Sequence, residues 1–175
     1  RNSIIIFTKK EKQKNLLVYD AINKILNKNK ILAPKLLSQR YQKNYIEIQD
    51  LGDETIFQKI NKKKINKYLI MKRVIRILNK IQLIKDKKIK NFLNQLYTIK
   101  YYDESKLFNE TKIFIDWYVP TKLSKNKLKN FNSKFKKEIK FLLSKLKNKN
   151  KIFVHRDFHV SNLIYKKNNI GLIDN

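Results

Sequence analysis

Phe153-Val154-His155-Arg156-Asp157-Phe158-His159-Val160-Ser161-Asn162-Leu163-Ile164, followed after a polar break by Gly171-Leu172-Ile173-Asp174, is the stretch that decides how this chain folds. His155, Arg156, Asp157 and Asn162 stand in an H-R-D-x-x-x-x-N spacing, and Asp174 closes a second short apolar run. If the two apolar runs pair, three oxygen-bearing side chains gather around one loop. A carboxylate in that position can take or orient a hydroxyl proton. An amide oxygen and a second carboxylate are hard ligands of the kind Mg²⁺ prefers. Asp157 suits the first task; Asn162 and Asp174 suit the second.

The flanking residues predict the pairing. Ile152-Phe153-Val154 is β-branched and aromatic and reads as a buried strand entering the loop. Leu163-Ile164-Tyr165 reads as the return strand, Lys166-Lys167-Asn168-Asn169 as a polar turn, and residues 170–173 as the hairpin partner. A rigid hairpin would fix the three groups around one ion better than separate flexible loops.

Working outward, Ser3–Phe7 is a short β run, and residues 11–27 carry Leu17, Ala21, Ile22, Ile25 and Leu26 at helical spacing. Ala33-Pro34 breaks that pattern, Leu36-Leu37 opens another strand, and Tyr45–Gln49 alternates as a half-buried strand. Asp50-Leu51-Gly52-Asp53 then supplies a Gly-containing joint. Beyond it the character is helical. Ile70, Val74, Ile77, Leu78, Ile81 and Ile84 share one helix face, and Leu128, Phe131, Phe135, Ile139, Leu142 and Leu146 share another. Residues 107–119 between them are rich in aromatics, including Phe108, Phe114, Trp117 and Tyr118.

The 175 residues suffice for one domain or one and a half small lobes with a sizeable core. There is no cysteine, which excludes disulfides and thiolate zinc sites. No apolar run approaches the roughly eighteen residues needed to span a bilayer, so no membrane partner and a cytoplasmic location are expected. The net charge of +28 raises nucleic acid as a partner. The lysines are spread along the whole chain among abundant Asn and Ile, residues with AT-rich codons. That distribution describes a solvated coat rather than a concentrated nucleic-acid surface, and no specific nucleic-acid partner is expected. The chain begins at Arg1 and stops one residue after Asp174, so a piece lacking both ends is expected.

The residues quoted so far resemble the aminoglycoside-phosphotransferase branch of the kinase-like fold. His155-Arg156-Asp157-Phe158-His159 with Asn162-Leu163-Ile164 is similar to that family's H-x-D-x-H-x-x-N signature, and Gly171-Leu172-Ile173-Asp174 to its metal segment. Ile48-Gln49-Asp50-Leu51-Gly52 resembles its hinge. Phe108-Asn109-Glu110 with Phe114-Ile115-Asp116-Trp117-Tyr118 resembles a segment of the bacterial cell-wall kinases acting on N-acetylmuramate or N-acetylglucosamine. The resemblance implies an α+β, bilobal protein-kinase-like fold. Residues 1–52 would be a partial nucleotide-binding small lobe and hinge; residues 53–175 would be a partial helical large lobe carrying the catalytic loop. It implies ATP as donor, Mg²⁺ as cofactor, and a small hydroxyl-bearing acceptor, an amino sugar in cell-wall recycling. Asp157 would be catalytic, Asn162 and Asp174 metal ligands, and Gln49, Asp50 and Leu51 the segment that receives the adenine edge. Glu110, Asp116 and His159 would face the acceptor.

Departures from the family pattern accompany the likeness. No Gly-rich nucleotide loop precedes Ser3, and no phosphate-pairing lysine is identifiable, since Lys9 and Lys10 sit at the end of their strand and read equally as surface residues. Asn175 stands where the larger superfamily has an aromatic. His155 is expected to support the loop, and the Trp117 region to pack between helices rather than stack on a sugar. The rival acceptors are an aminoglycoside, choline or homoserine. The rival of another class is a catalytically silent basic module that binds nucleic acid or an acidic partner.

Overall fold

The computed structural model describes residues 3–100, 103–146, 153–166 and 168–174. The chain is α+β, with small antiparallel sheets among helices. It divides into two compact units, Arg1–Ile99 with Phe153–Asn175, and Lys100–Ile152.

In the first unit, β1 (Ser3–Phe7), β2 (Leu36–Arg40) and β3 (Tyr45–Gln49) form an antiparallel sheet in the order β1-β3-β2. The register sets Ile4 opposite Ile48 and Ile6 opposite Ile46, so the period-two pattern puts these four on one face. Helix α1 (Lys14–Lys28) follows a 3₁₀ turn over Lys10–Lys12 and begins later than the periodicity suggests. Its Leu16 joins buried Ile46 and Ile48 in a small core. Further along the helix, Ile25 and Leu26 enter the main core with Ile56, Ile70, Val74, Ile81, Phe153, Leu163 and Leu172.

Two elements after the joint have clear local causes. Helix α2 (Ile56–Asn61) is held by a reciprocal cap: Gln58 N–H donates to Thr55 Oγ1 at 3.1 Å and Thr55 N–H to Gln58 Oε1 at 2.9 Å. Helix α3 (Lys67–Gln82) starts at Asn66, whose Oδ1 accepts from Leu69 N–H at 3.1 Å, and it buries the predicted face through Ile70, Val74 and Ile81. The sequence reading lacked the next hairpin, β4 (Lys88–Lys90) with β5 (Leu96–Thr98). Its turn is organised by buried Asn91, whose Oδ1 accepts from Leu93 and Gln95 N–H at 3.0 and 3.1 Å.

The C-terminal hairpin forms as predicted, from β6 (Leu163–Lys166) and β7 (Asn169–Leu172), with Leu163 opposite Leu172 and Ile164 opposite Gly171. Lys166 and Asn169 are paired strand ends, so the turn is tighter than expected; Asn168 adopts a left-handed conformation (φ 62°), and Lys167 lies outside the described residues. The strand expected over residues 152–154 is corrected. Phe153 and Val154 are irregular, and Ile152 lies outside the described residues. The outer edges of the hairpin are already taken by bridges from Thr55 to Ile164 and from Leu32 to Gly171. Phe153 still buries its ring in the core.

The second unit is helical among its described residues. Asp103 Oδ1 caps α4 (Glu104–Ile113) by accepting from Lys106 N–H at 2.9 Å. A π-helical turn over Phe114–Tyr118 and a 3₁₀ turn over Val119–Thr121 lead to α5 (Lys125–Lys145). Phe114 packs on Phe135 with centroids 5.5 Å apart, and Phe135 on Phe131 at 5.8 Å. The expectation that Trp117 packs between helices fails. The wider π turn buries Ile115 and Val119 and leaves Trp117 78 % exposed. No helix among the described residues is long and apolar enough to cross a membrane.

Candidate active site

The loop before β6 is organised around Asp157. Asn162 Nδ2 donates to its carboxylate Oδ2 at 2.8 Å and to its backbone carbonyl at 3.1 Å. His159 Nε2 lies 3.1 Å from the other carboxylate oxygen, while His159 Nδ1 accepts from Ser161 N–H at 3.2 Å. His159 thus holds the carboxylate oxygen of Asp157 that Asn162 leaves, and its ring is fixed in turn by the Ser161 N–H. A 3₁₀ turn over Val160–Asn162 closes the loop, with Asn162 N–H donating to the His159 carbonyl at 2.9 Å. His155 presents its ring edge-on to Phe158, centroids 5.8 Å apart, which agrees with a supporting role.

With its amide nitrogen committed to Asp157, Asn162 has its Oδ1 unclaimed by any donor among the described residues. Its backbone carbonyl accepts from Ile173 N–H at 3.0 Å. Asp174, the next residue, is exposed and left-handed (φ 59°), which turns the chain away from β7. Asp157 and Asn162 are therefore in direct contact, and the β7 end carrying Asp174 is tied to Asn162 by backbone. Asn162 Oδ1 and the Asp174 carboxylate are hard oxygen donors of the kind Mg²⁺ takes; among the described residues no group of three or more His, Cys, Asp or Glu that could hold a metal ion is present.

The Gly-containing joint packs against the same hairpin. Leu172 N–H donates to the Leu32 carbonyl at 2.8 Å, and Tyr165 N–H to the Glu54 carbonyl at 3.3 Å, so segments on either side of the joint dock on β7 and β6. Asp50 shapes the joint itself: its Oδ1 accepts from Gly52 N–H at 2.7 Å, and Gly52 (φ +104°) takes a conformation that side-chain-bearing residues rarely adopt. Lys166 Nζ donates to the Asp50 carbonyl at 2.7 Å. Glu54 is held below the ordinary carboxylate range by hydrogen bonds from Lys59 and Lys64.

One cavity of about 200 Å³ gathers Ile4, Ile6 and Ile48 from the sheet, Tyr19 from α1, Gln49, Asp50, Leu51 and Gly52 from the joint, and Asp174. A second, of about 410 Å³, lies across the joint between residues 50–54 and Ile164, Tyr165 and Lys166. The first has apolar walls, the backbone of the joint and two carboxylates in its lining, that of Asp50, which is bonded to Gly52 N–H, and that of Asp174. Burial pushes the Tyr19 phenol above its ordinary value; a hydrogen bond with Asn23 opposes the shift, and the charge of Asp174 adds to it.

The sequence-predicted residues thus fall into three places. Gln49, Asp50, Leu51 and Asp174 line one cavity; Asp157, Asn162 and His159 form one hydrogen-bonded cluster; Glu110 and Asp116 are exposed in the second unit, on α4 and on the π turn. Lys9 and Lys10 are exposed beyond the end of β1. Tyr19 and Lys166 were not anticipated as site residues, and Gly171 was read only as the first residue of the metal segment. Tyr19 shares the inner side of an amphipathic helix with Leu16 and Asn23, a signal that marks burial and nothing more specific. No protein-family model matches the chain, and no curated protein matches it.

Proposed function

We propose that this chain is the nucleotide- and metal-binding part of an ATP-dependent small-molecule kinase of the aminoglycoside-phosphotransferase type, acting in the cytoplasm on an amino sugar of cell-wall recycling. The observation that carries this reading is the shared cavity. The joint at Gln49–Gly52 and the carboxylate of Asp174 face one apolar-walled space, and β7 links that carboxylate to the Asp157–Asn162 pair.

In this reading the backbone of Gln49, Asp50 and Leu51 receives the adenine edge. Asn162 Oδ1 and the Asp174 carboxylate would hold Mg²⁺, which when bound neutralises charge on the transferring phosphoryl oxygens. Asp157 accepts or orients the proton of the acceptor hydroxyl. Its two carboxylate oxygens are steered by Asn162 and His159, so it is presented in one orientation.

Thermal unfolding tests the proposal. Saturating Mg·ATP is expected to raise the midpoint by several degrees, because a ligand at 100 times its dissociation constant contributes about 2.7 kcal/mol. ATP with a chelator is expected to give a much smaller shift. No response to Mg·ATP, together with salt-dependent binding of duplex DNA, would replace the kinase reading with that of a basic nucleic-acid-binding module.

A further inference from the structure

The cavity between α1, the β1–β3 sheet and the joint has two carboxylates in its lining, that of Asp50, bonded to Gly52 N–H, and that of Asp174. Among the described residues that line it there is no lysine or arginine. The β1 residues that reach it are Ile4 and Ile6, and Lys9 and Lys10 are exposed further along the chain. The polar side chain that α1 contributes is Tyr19, half-buried against Leu16, Ile46 and Ile48 and hydrogen-bonded to Asn23. A phenol has one donor and two lone pairs, so it can accept from the Asn23 amide and still donate into the cavity. Tyr19 and Asp174 line the same cavity, and a phenol is protonated at neutral pH and therefore a donor.

We propose that Tyr19 is a ligand-binding residue of this cavity, whose hydroxyl donates to a phosphate oxygen of a metal-bound nucleotide opposite Asp174. The inference rests on the kinase reading and adds a residue and a selectivity to it. A neutral donor facing a carboxylate is a poor site for a free polyphosphate, since Asp174 repels it and no lysine or arginine stands among the described residues that line the cavity. It is a good site for a phosphate already paired with a divalent cation, because the cation satisfies Asp174 and the phenol takes the remaining oxygen. Selection for the metal complex would then come from this pair of side chains and not from a lysine.

Tyr19→Phe keeps the ring in the wall and removes only the hydroxyl. Isothermal titration of the 175-residue chain with Mg·ATP and separately with adenosine distinguishes the roles. Tyr19→Phe is expected to weaken Mg·ATP by about fivefold to tenfold, the range of one hydrogen bond, and to leave adenosine unchanged. Unchanged Mg·ATP affinity in the variant, with normal binding by the parent, would overturn the role of Tyr19 alone. Equal weakening of both ligands would also overturn it, because the residue would then be part of the apolar wall. Failure of the parent chain to bind Mg·ATP would overturn the kinase reading and this inference with it.

Discussion

Gly171→Ala probes the packing between the joint and the hairpin. Gly171 has an ordinary backbone conformation, so the cost of a side chain there comes from space and not from φ. An added Cβ would lie 2.6 Å from Leu51 Cδ1 and 3.4 Å from Leu32 Cδ2. Ordinary carbon contacts begin near 3.4 Å, so Leu32 need not move while Leu51 must retreat by at least about 0.8 Å. Overpacking of a buried site costs about 1–3 kcal/mol. Leu51 is 3 % exposed, but it borders both cavities and has somewhere to go, which places the cost near the lower end, about 1 kcal/mol. The larger effect falls on binding. A Leu51 side chain driven toward the nucleotide cavity should weaken Mg·ATP by roughly tenfold, about 1.4 kcal/mol. Urea unfolding followed by circular dichroism reads the first quantity and calorimetric titration the second. Adding Leu51→Ala to Gly171→Ala removes the clashing methyl, so a double-mutant cycle should show coupling of about 1 kcal/mol in stability. Additivity of the two substitutions within about 0.5 kcal/mol, or a Gly171→Ala chain that binds and unfolds like the parent, would refute the close-packing argument.

Asp157→Asn should lower phosphoryl transfer to an amino sugar by about 10²-fold or more while Mg·ATP affinity stays within a few fold; transfer at the parent rate would remove Asp157 from its role. Thr55→Ala breaks the reciprocal cap of α2 and should cost about 1 kcal/mol in urea unfolding, with Thr55→Ser recovering most of the loss. Asp86 accepts from Lys28 Nζ and, at 2.8 Å, from Asn29 Nδ2, and these bonds depress its carboxyl below the ordinary value. A depressed carboxyl contributes stability that is fully present above the unfolded-state value, about pH 4, and is lost as pH falls through the folded value. Asp86→Asn should therefore be less stable than the parent at pH 6, and the difference should close on acidification below about pH 4. Lys28 is 64 % exposed and the pair is screened, so the difference at pH 6 should stay under about 1 kcal/mol and shrink in salt. A stability difference that persists unchanged at pH 3 would contradict the assignment.

The sequence was most legible where one periodicity served one partner. The faces of α1, α3 and β3 follow from residues repeating at the spacing of their element, and the β6–β7 hairpin follows from two short apolar runs around a polar turn. It was least legible where a side chain's surroundings come from distant segments. Each strand of the β4–β5 hairpin has three residues, too few for an alternating pattern to stand out, and its turn depends on the buried amide of Asn91. Phe153-Val154 has strand composition, but pairing needs a free edge, and Leu32 and Thr55 occupy those of the hairpin. Trp117 looked like core by type, yet the π turn shifts the helical phase, and phase decides which aromatics are covered.

The same distinction explains the candidate site. The Asp157–Asn162 contact is local, five positions along one loop, and its spacing could be read directly. The cavity is not local. It exists because backbone bonds carry residues 32 and 54 to opposite sides of one hairpin, leaving the intervening joint to pass over Gly171. None of those bonds involves a distinctive side chain, so no composition or motif announces them. What the sequence does contain is a residue small enough for the close packing: the glycine at position 171 leaves room for the Leu51 side chain, whose Cδ1 would lie 2.6 Å from an added Cβ. The glycine of the G-L-I-D segment thus has a physical task distinct from turning the chain, and the close seat of the Leu51 side chain on β7 depends on it.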